Sequence, residues 1–183
     1  YVLSDTSYGN DGDFTYKGLV SRYNSDLANN LGNLAARIAS VVDKKCAGLG
    51  TAPNPDSPLA AFAKDAVAET SACWQLVQPS RALEATWSLI RATNAHLENH
   101  EPWKAEPSDL LNTVMGDALE ALRIVTLLAF PAIPDTAREI WRRIGMTTDI
   151  EQCRIPVDTE WGLYRAGSPV EKGTPLFPRR TVA

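Results

Sequence analysis

Leu19, Tyr23, Leu27, Leu31, Leu34, Ile38 and Val41 recur at steps of three and four, the period of a helix with one buried stripe. No other feature limits the fold of this chain as strongly. The repeat predicts one long helix that starts near Asp13 or Thr15 and runs straight through Asn29, Asn30 and Gly32. Asparagine and glycine each cost about 0.7 to 1 kcal/mol against alanine inside a helix, so a segment that keeps them is being asked for something besides helicity. At about 100° per residue, Asn29, Asn33 and Arg37 fall on a face about 120° from the middle of the stripe, together with Arg22 and Lys44. They are expected to point away from the core, spaced about 6 Å apart along the axis. Two carboxamides and a guanidinium in a row offer donors and acceptors in a fixed array, which can read the edge of a nucleobase. The same composition also describes an ordinary solvated face.

A second helical pattern, Leu83, Trp87, Ile90, Asn94 and Leu97, is stopped by Pro102 in Glu101-Pro-Trp-Lys104. Trp103 then sits just past a helix end beside a proline. It can plug the bundle, or it can serve as a stacking platform, where an aromatic face under an unstacked base is worth about 1 to 3 kcal/mol. Proteins that read single-stranded RNA loops combine stacking for affinity with side-chain hydrogen bonds for identity.

The remaining pattern is also helical. Turn formers at Gly9-Asn-Asp-Gly12 mark residues 1 to 13 as a connector. The loop from Gly48 to Pro58 ends in Ser57-Pro58, an N-cap followed by a first-turn proline. One helix is expected from there to about Val77, an antiparallel partner from Pro79 to near His100, a third from about Ser108 to Phe130, and a last from Asp135 to Ile144. Trp74, Trp87 and Trp141 fall on these patterns as packing residues. The residues from 150 to 183 differ in kind, because prolines and glycines punctuate Trp161-Gly-Leu-Tyr164 and Pro175-Leu-Phe-Pro178, and short extended segments and turns are expected. The fold class is therefore all-α, an antiparallel helix bundle over 14–149 with an extended C-terminal tail over 150–183.

Charge and cysteine content narrow the function classes. The net charge of −4 argues against broad adhesion to nucleic acid, DNA included, which needs many phosphate contacts. The balance reverses locally, since Lys17, Arg22, Arg37, Lys44 and Lys45 outnumber Asp26 and Asp43 between residues 14 and 48. The longest apolar stretch, 124 to 130, is far short of the roughly 20 residues of a membrane span. With no signal-peptide pattern and widely separated Cys46, Cys73 and Cys153, a soluble cytoplasmic protein with reduced thiols is expected. His96 and His100 stand one helical turn apart but lack an accompanying Cys-x-x-Cys, so a solvated or capping role is expected rather than a metal site. No glycine-rich phosphate loop or nucleophile motif is evident.

Several short motifs in order resemble the methionyl-tRNA synthetases over nearly the whole chain. Asp11-Gly-Asp-Phe14, Arg22-Tyr-Asn24, Asp26-Leu-Ala-Asn29 and Gly32-Asn-Leu-x-x-Arg37 look like the start of that family's helical anticodon-binding domain. Glu101-Pro-Trp-Lys104, Phe130-Pro-x-Ile-Pro134 and Pro175-Leu-Phe-Pro178 fit its later landmarks. The resemblance implies that Asn29, Asn33, Arg37, Pro102 and Trp103 read the CAU anticodon of methionine tRNA. It also implies that the tail folds back towards a catalytic body, with Trp161, Leu176 and Phe177 as candidate contacts, packing on this same bundle being the alternative. The class I HIGH-type and KMSKS-type motifs do not occur, and the chain opens at Tyr1. A C-terminal part is therefore expected, with ATP and Mg belonging to a catalytic domain elsewhere. The anticodon domain of another class I synthetase and a helical protein-interaction module are the competing readings; each would be separated from the first by its preference among RNA triplets.

Overall fold

The computed structural model describes residues 1–5 and 14–181. The turn formers of 9–12, the motif at 11–13 and the candidate cap Asp13 lie outside the described residues. Helices make up the fold, and among the described residues the extended pairing is a single antiparallel bridge between Leu49 and Pro169. The protein is an all-α bundle, as the apolar periods require.

The leading rod is built in three parts. After a short turn, α1 (Val2–Asp5), α2 (Tyr16–Arg22) begins at Thr15, whose hydroxyl accepts from the Gly18 amide at 3.0 Å. The chain then winds as a π-helix over Tyr23–Gly32 and passes without a break into α3 (Asn33–Lys45). The expectation of one uniform α-helix is corrected here. At the junction the Asn33 amide donates to the Ala28 carbonyl, five residues back. The physical reason lies in the composition of the segment: Asn24, Ser25, Asp26, Asn29, Asn30 and Gly32 gain little from α geometry, so leaving it costs little. The altered winding is braced from outside, since the Trp87 indole donates to the Asp26 carbonyl at 3.2 Å. A Cβ on Gly32 would stand 3.0 Å from the Leu27 carbonyl oxygen and 3.3 Å from the Phe177 ring, so only glycine lets the tail approach this closely. Burial deepens along the stripe: Leu19, Tyr23 and Leu27 are half-buried, while Leu31, Leu34, Ile38 and Val41 are buried.

Local chemistry sets the other helix starts. Ser57 caps α4 (Pro58–Gln75), its hydroxyl accepting from the Leu59 amide at 3.3 Å. Val77, at the expected helix end, instead takes a left-handed turn (φ 55) that feeds α5 (Pro79–His100). The two helices pair through buried threonines, with Thr70 and Thr86 hydroxyls 3.3 Å apart. Ser108 caps α6 (Asp109–Ala129), and Pro134 opens α7 (Pro134–Arg143) after the Phe130-Pro131 corner. Trp87 and Trp141 are buried and Trp74 is half-buried.

α6 is the centre of the molecule. From Val114 to Ala129 it is buried on every side, whereas its leucine spacing predicts one buried face. The tail covers what the helices leave open. Glu120 and Arg123, 0% and 2% exposed at their side chains, form an ion pair at 2.8 Å. Glu120 also accepts from the amides of Gly162, Leu163 and Tyr164 at 2.8, 3.1 and 2.9 Å. Arg123 donates to the carbonyls of Asp158 and Glu160. Every nitrogen of the guanidinium and both oxygens of the carboxylate have a hydrogen-bond partner, which is the condition for burying them. Tyr164 donates to the Ile144 carbonyl at 2.8 Å and Trp161 to the Asn54 carbonyl at 2.9 Å. Phe177 is buried in the main core, and Trp161 and Leu176 are half-buried against it. These three side chains therefore pack on this bundle.

Candidate nucleic-acid interface

Asn29, Asn33 and Arg37 are all exposed, on the outer side of the rod where the π-helix passes into α3. Arg37 reaches across to the end of α5. Its guanidinium sits over the Trp103 ring, 5.5 Å from the centroid, and its Nη1 donates to Glu98 Oε1 at 2.5 Å. Trp103 is half-buried against the core edge, so it partly plugs the bundle and partly offers ring surface. A flat ligand stacking on that surface shares the indole with, or displaces, the guanidinium.

The turn that presents Trp103 is held from both sides. Glu101 ends α5 in the left-handed region (φ 42), at a position where the following proline already disfavours a right-handed turn. Lys104 pairs with Glu101 at 2.7 Å, and Lys45 of α3 donates to the Ala105 carbonyl at 2.6 Å. Pro102 is buried. It lies at the base of the turn that carries Trp103.

The local positive field is smaller than the sequence count implies. Arg22 pairs with Asp26 at 3.0 Å and with Asp5 at 3.5 Å, and Arg37 pairs with Glu98. The compensation comes from the tail. Arg179 donates to Asn29 Oδ1 at 2.8 Å, and Arg180 lies over the Tyr23 ring, 5.9 Å from its centroid. The Asn24 carboxamide both donates to the Arg180 carbonyl at 2.8 Å and accepts from the Arg180 amide at 3.0 Å. Asn24, Arg179 and Arg180 were not identified from sequence as site residues. The one available signal was the unexplained density of asparagines in the rod, which is what a returning backbone needs for pairing.

His96 and His100 lie side by side with ring centroids 4.5 Å apart and planes tilted by 45°. His100 is exposed, with Nδ1 2.8 Å from the His96 carbonyl at the helix end. Burial and the neighbouring His100 hold His96 below the usual imidazole range. Among the described residues no three His, Cys, Asp or Glu side chains converge to hold a metal ion, and no helix is long and apolar enough to cross a membrane. Burial pushes the thiols of Cys46, Cys73 and Cys153 up, and all three are free, which makes them poor nucleophiles.

The sequence and fold of the chain have counterparts among known proteins. The family described as tRNA synthetases class I (M) matches residues 1–39, a stretch that contains Asn29, Asn33 and Arg37. The methionine–tRNA ligase of Thermotoga maritima is 32% identical over 186 residues, covering 98% of this chain and 29% of its own length. That of Synechocystis sp. is 32% identical over 199 residues, covering 98% and 37%. The free-state crystal structure of Mycobacterium tuberculosis methionyl-tRNA synthetase matches the whole chain with a TM-score of 0.87 at 28% identity, using 38% of that protein. Its complex with methionyl-adenylate matches 97% of the chain with a TM-score of 0.81. The chain thus spans between 29% and 37% of the length of these curated relatives. Because the match in sequence and in fold extends over nearly the whole chain, the chain is a homologue of one part of the methionyl-tRNA synthetases.

Proposed function

We propose that this chain recognises the CAU anticodon loop of initiator and elongator methionine tRNAs and so holds the tRNA for aminoacylation by a methionine–tRNA ligase. The observation that carries the reading is the contact between the two kinds of group such recognition requires. Arg37 and Trp103 come from separate helical elements and meet at 5.5 Å, beside the exposed carboxamides of Asn33 and Asn29. Trp103 stacks on the wobble cytosine, Asn33 and Arg37 hydrogen-bond its edge, and Asn29 places the neighbouring bases. Glu98 holds the guanidinium until a base edge competes for it. Pro102 fixes the turn from below.

Methionine activation with ATP and Mg is assigned to the rest of the enzyme and its catalytic domain, in the cytoplasm. The donor set here does not fit that group, because no carboxylate cluster converges among the described residues and the sequence has no phosphate loop. The domain's part is to bind and orient RNA.

Filter binding at moderate salt tests the assignment, using a hairpin with CAU in the loop and a second hairpin with a different triplet. The intact chain should prefer CAU; Arg37→Ala should lose about 1 to 3 kcal/mol of that preference, and Trp103→Ala about 1 to 3 kcal/mol of affinity for both hairpins. Equal binding of the two hairpins would favour a protein-interaction role for the polar face. Preference for another triplet would move the chain to a different class I synthetase.

A further inference from the structure

We infer that Phe177 and Asn24 are positioning residues for triplet reading: the returning tail clamps the π-wound part of the rod and so sets where Asn29 projects relative to Asn33 and Arg37. The inference rests on the RNA-reading role proposed above. The segment Tyr23–Gly32 is ten residues long, and each residue turns less in a π-helix than the roughly 100° of an α-helix. Rewinding to α geometry would rotate Asn29 and everything before it relative to α3. The sequence does little to resist or favour such rewinding from within, because its asparagines, serine and glycine have weak preferences.

Beside the Trp87 indole on the Asp26 carbonyl, the restraint comes from the tail. Phe177 is 9% exposed although it lies in an extended stretch. Its ring meets Tyr23 edge-on, with centroids 6.2 Å apart and planes at 84°, and it occupies the space over Gly32 that a Cβ would contest at 3.3 Å. These contacts fall on the first and last residues of the π-helix. Asn24 makes both hydrogen bonds of a backbone pairing with Arg180, at 2.8 and 3.0 Å. Neither Phe177 nor Asn24 is needed to touch a base. Their effect reaches the RNA through the angle between the upstream and downstream halves of the rod.

The test compares CAU and non-CAU hairpins against the intact chain, Phe177→Ala, Phe177→Leu and Asn24→Ala, with hydrogen exchange of the 24–33 amides measured in parallel. Phe177→Ala should lower the CAU preference about tenfold, the size expected for losing one well-formed base contact. It should also raise exchange in 24–33 while the α4–α5 amides stay protected. Phe177→Leu should restore most of the preference, and Asn24→Ala should show a smaller loss of the same kind. Should Phe177→Ala fail to fold, Asn24→Ala decides the matter. Unchanged preference in the folded variants, or an equal loss of affinity for both hairpins, would overturn the inference. Absence of CAU preference in the unsubstituted chain would instead overturn the RNA-reading role, and the exchange data would still report whether the clamp exists.

Discussion

Two ion pairs involving arginine show how differently one contact weighs by location. Arg37 and Glu98 are 43% and 54% exposed at their side chains, where water already solvates both charges. Replacing Glu98 by glutamine should change unfolding free energy by less than about 1 kcal/mol. Glu120 and Arg123 are buried, and the carboxylate also takes three backbone amides of the tail. Glu120→Ala leaves a buried guanidinium without its counter-charge, and urea denaturation should show a loss of about 3 to 5 kcal/mol. The outward face of Arg37 was legible from its helical phase and the place of Trp103 from the proline that stops α5, whereas their meeting at 5.5 Å is a tertiary contact. Glu120 was not, since between Leu119 and Ala121 it looks like any polar position on a helix. Its partners lie some forty residues away, at separations of 42 to 44, and no local period encodes them.

Helix starts were readable in detail because caps are made from neighbouring atoms. Ser57-Pro58, Pro79, Ser108 and Pro134 each mark a boundary through their own hydroxyl or ring. The π-winding of the rod was not readable. Apolar spacing of three and four is compatible with both windings over so short a stretch, and the choice is made by Trp87 and the tail. Close packing against α6 was hidden for the same reason. Gly116 lies where a Cβ would come 2.0 Å from the Ala52 carbonyl oxygen, a distance that forces the backbone of the α3–α4 loop to move. The next residue, Asp117, holds that loop through the Asn54 amide and the Ser57 hydroxyl, each at 2.7 Å. Gly116→Ala should therefore cost about 3 kcal/mol in thermal or chemical denaturation, against the roughly 1 kcal/mol gain that alanine brings to an unobstructed helix interior.

Across the whole molecule, the ion cluster beside the tail contributes stability that depends on acidity. Hydrogen bonds from Arg142 and Arg143 lower the Glu139 carboxyl to about 2 from an ordinary 4.5, and Arg143 in turn donates to the Thr174 carbonyl at 2.7 Å. A carboxyl held low in the folded state stabilises fully above its unfolded value and loses that contribution as pH falls through its folded value. The melting temperature of the protein should thus exceed that of Glu139→Gln above pH 4.5, and the two should converge as pH falls from 4.5 to about 2.

Asn24 and Arg180 are separated by 156 positions. During translation, the rod emerges long before the tail residues that brace it. Losing the last few of these residues would leave Asn29, Asn33, Arg37 and Trp103 in place yet remove the contacts of Phe177 and Arg180 on the rod, a quieter fault than failure to fold.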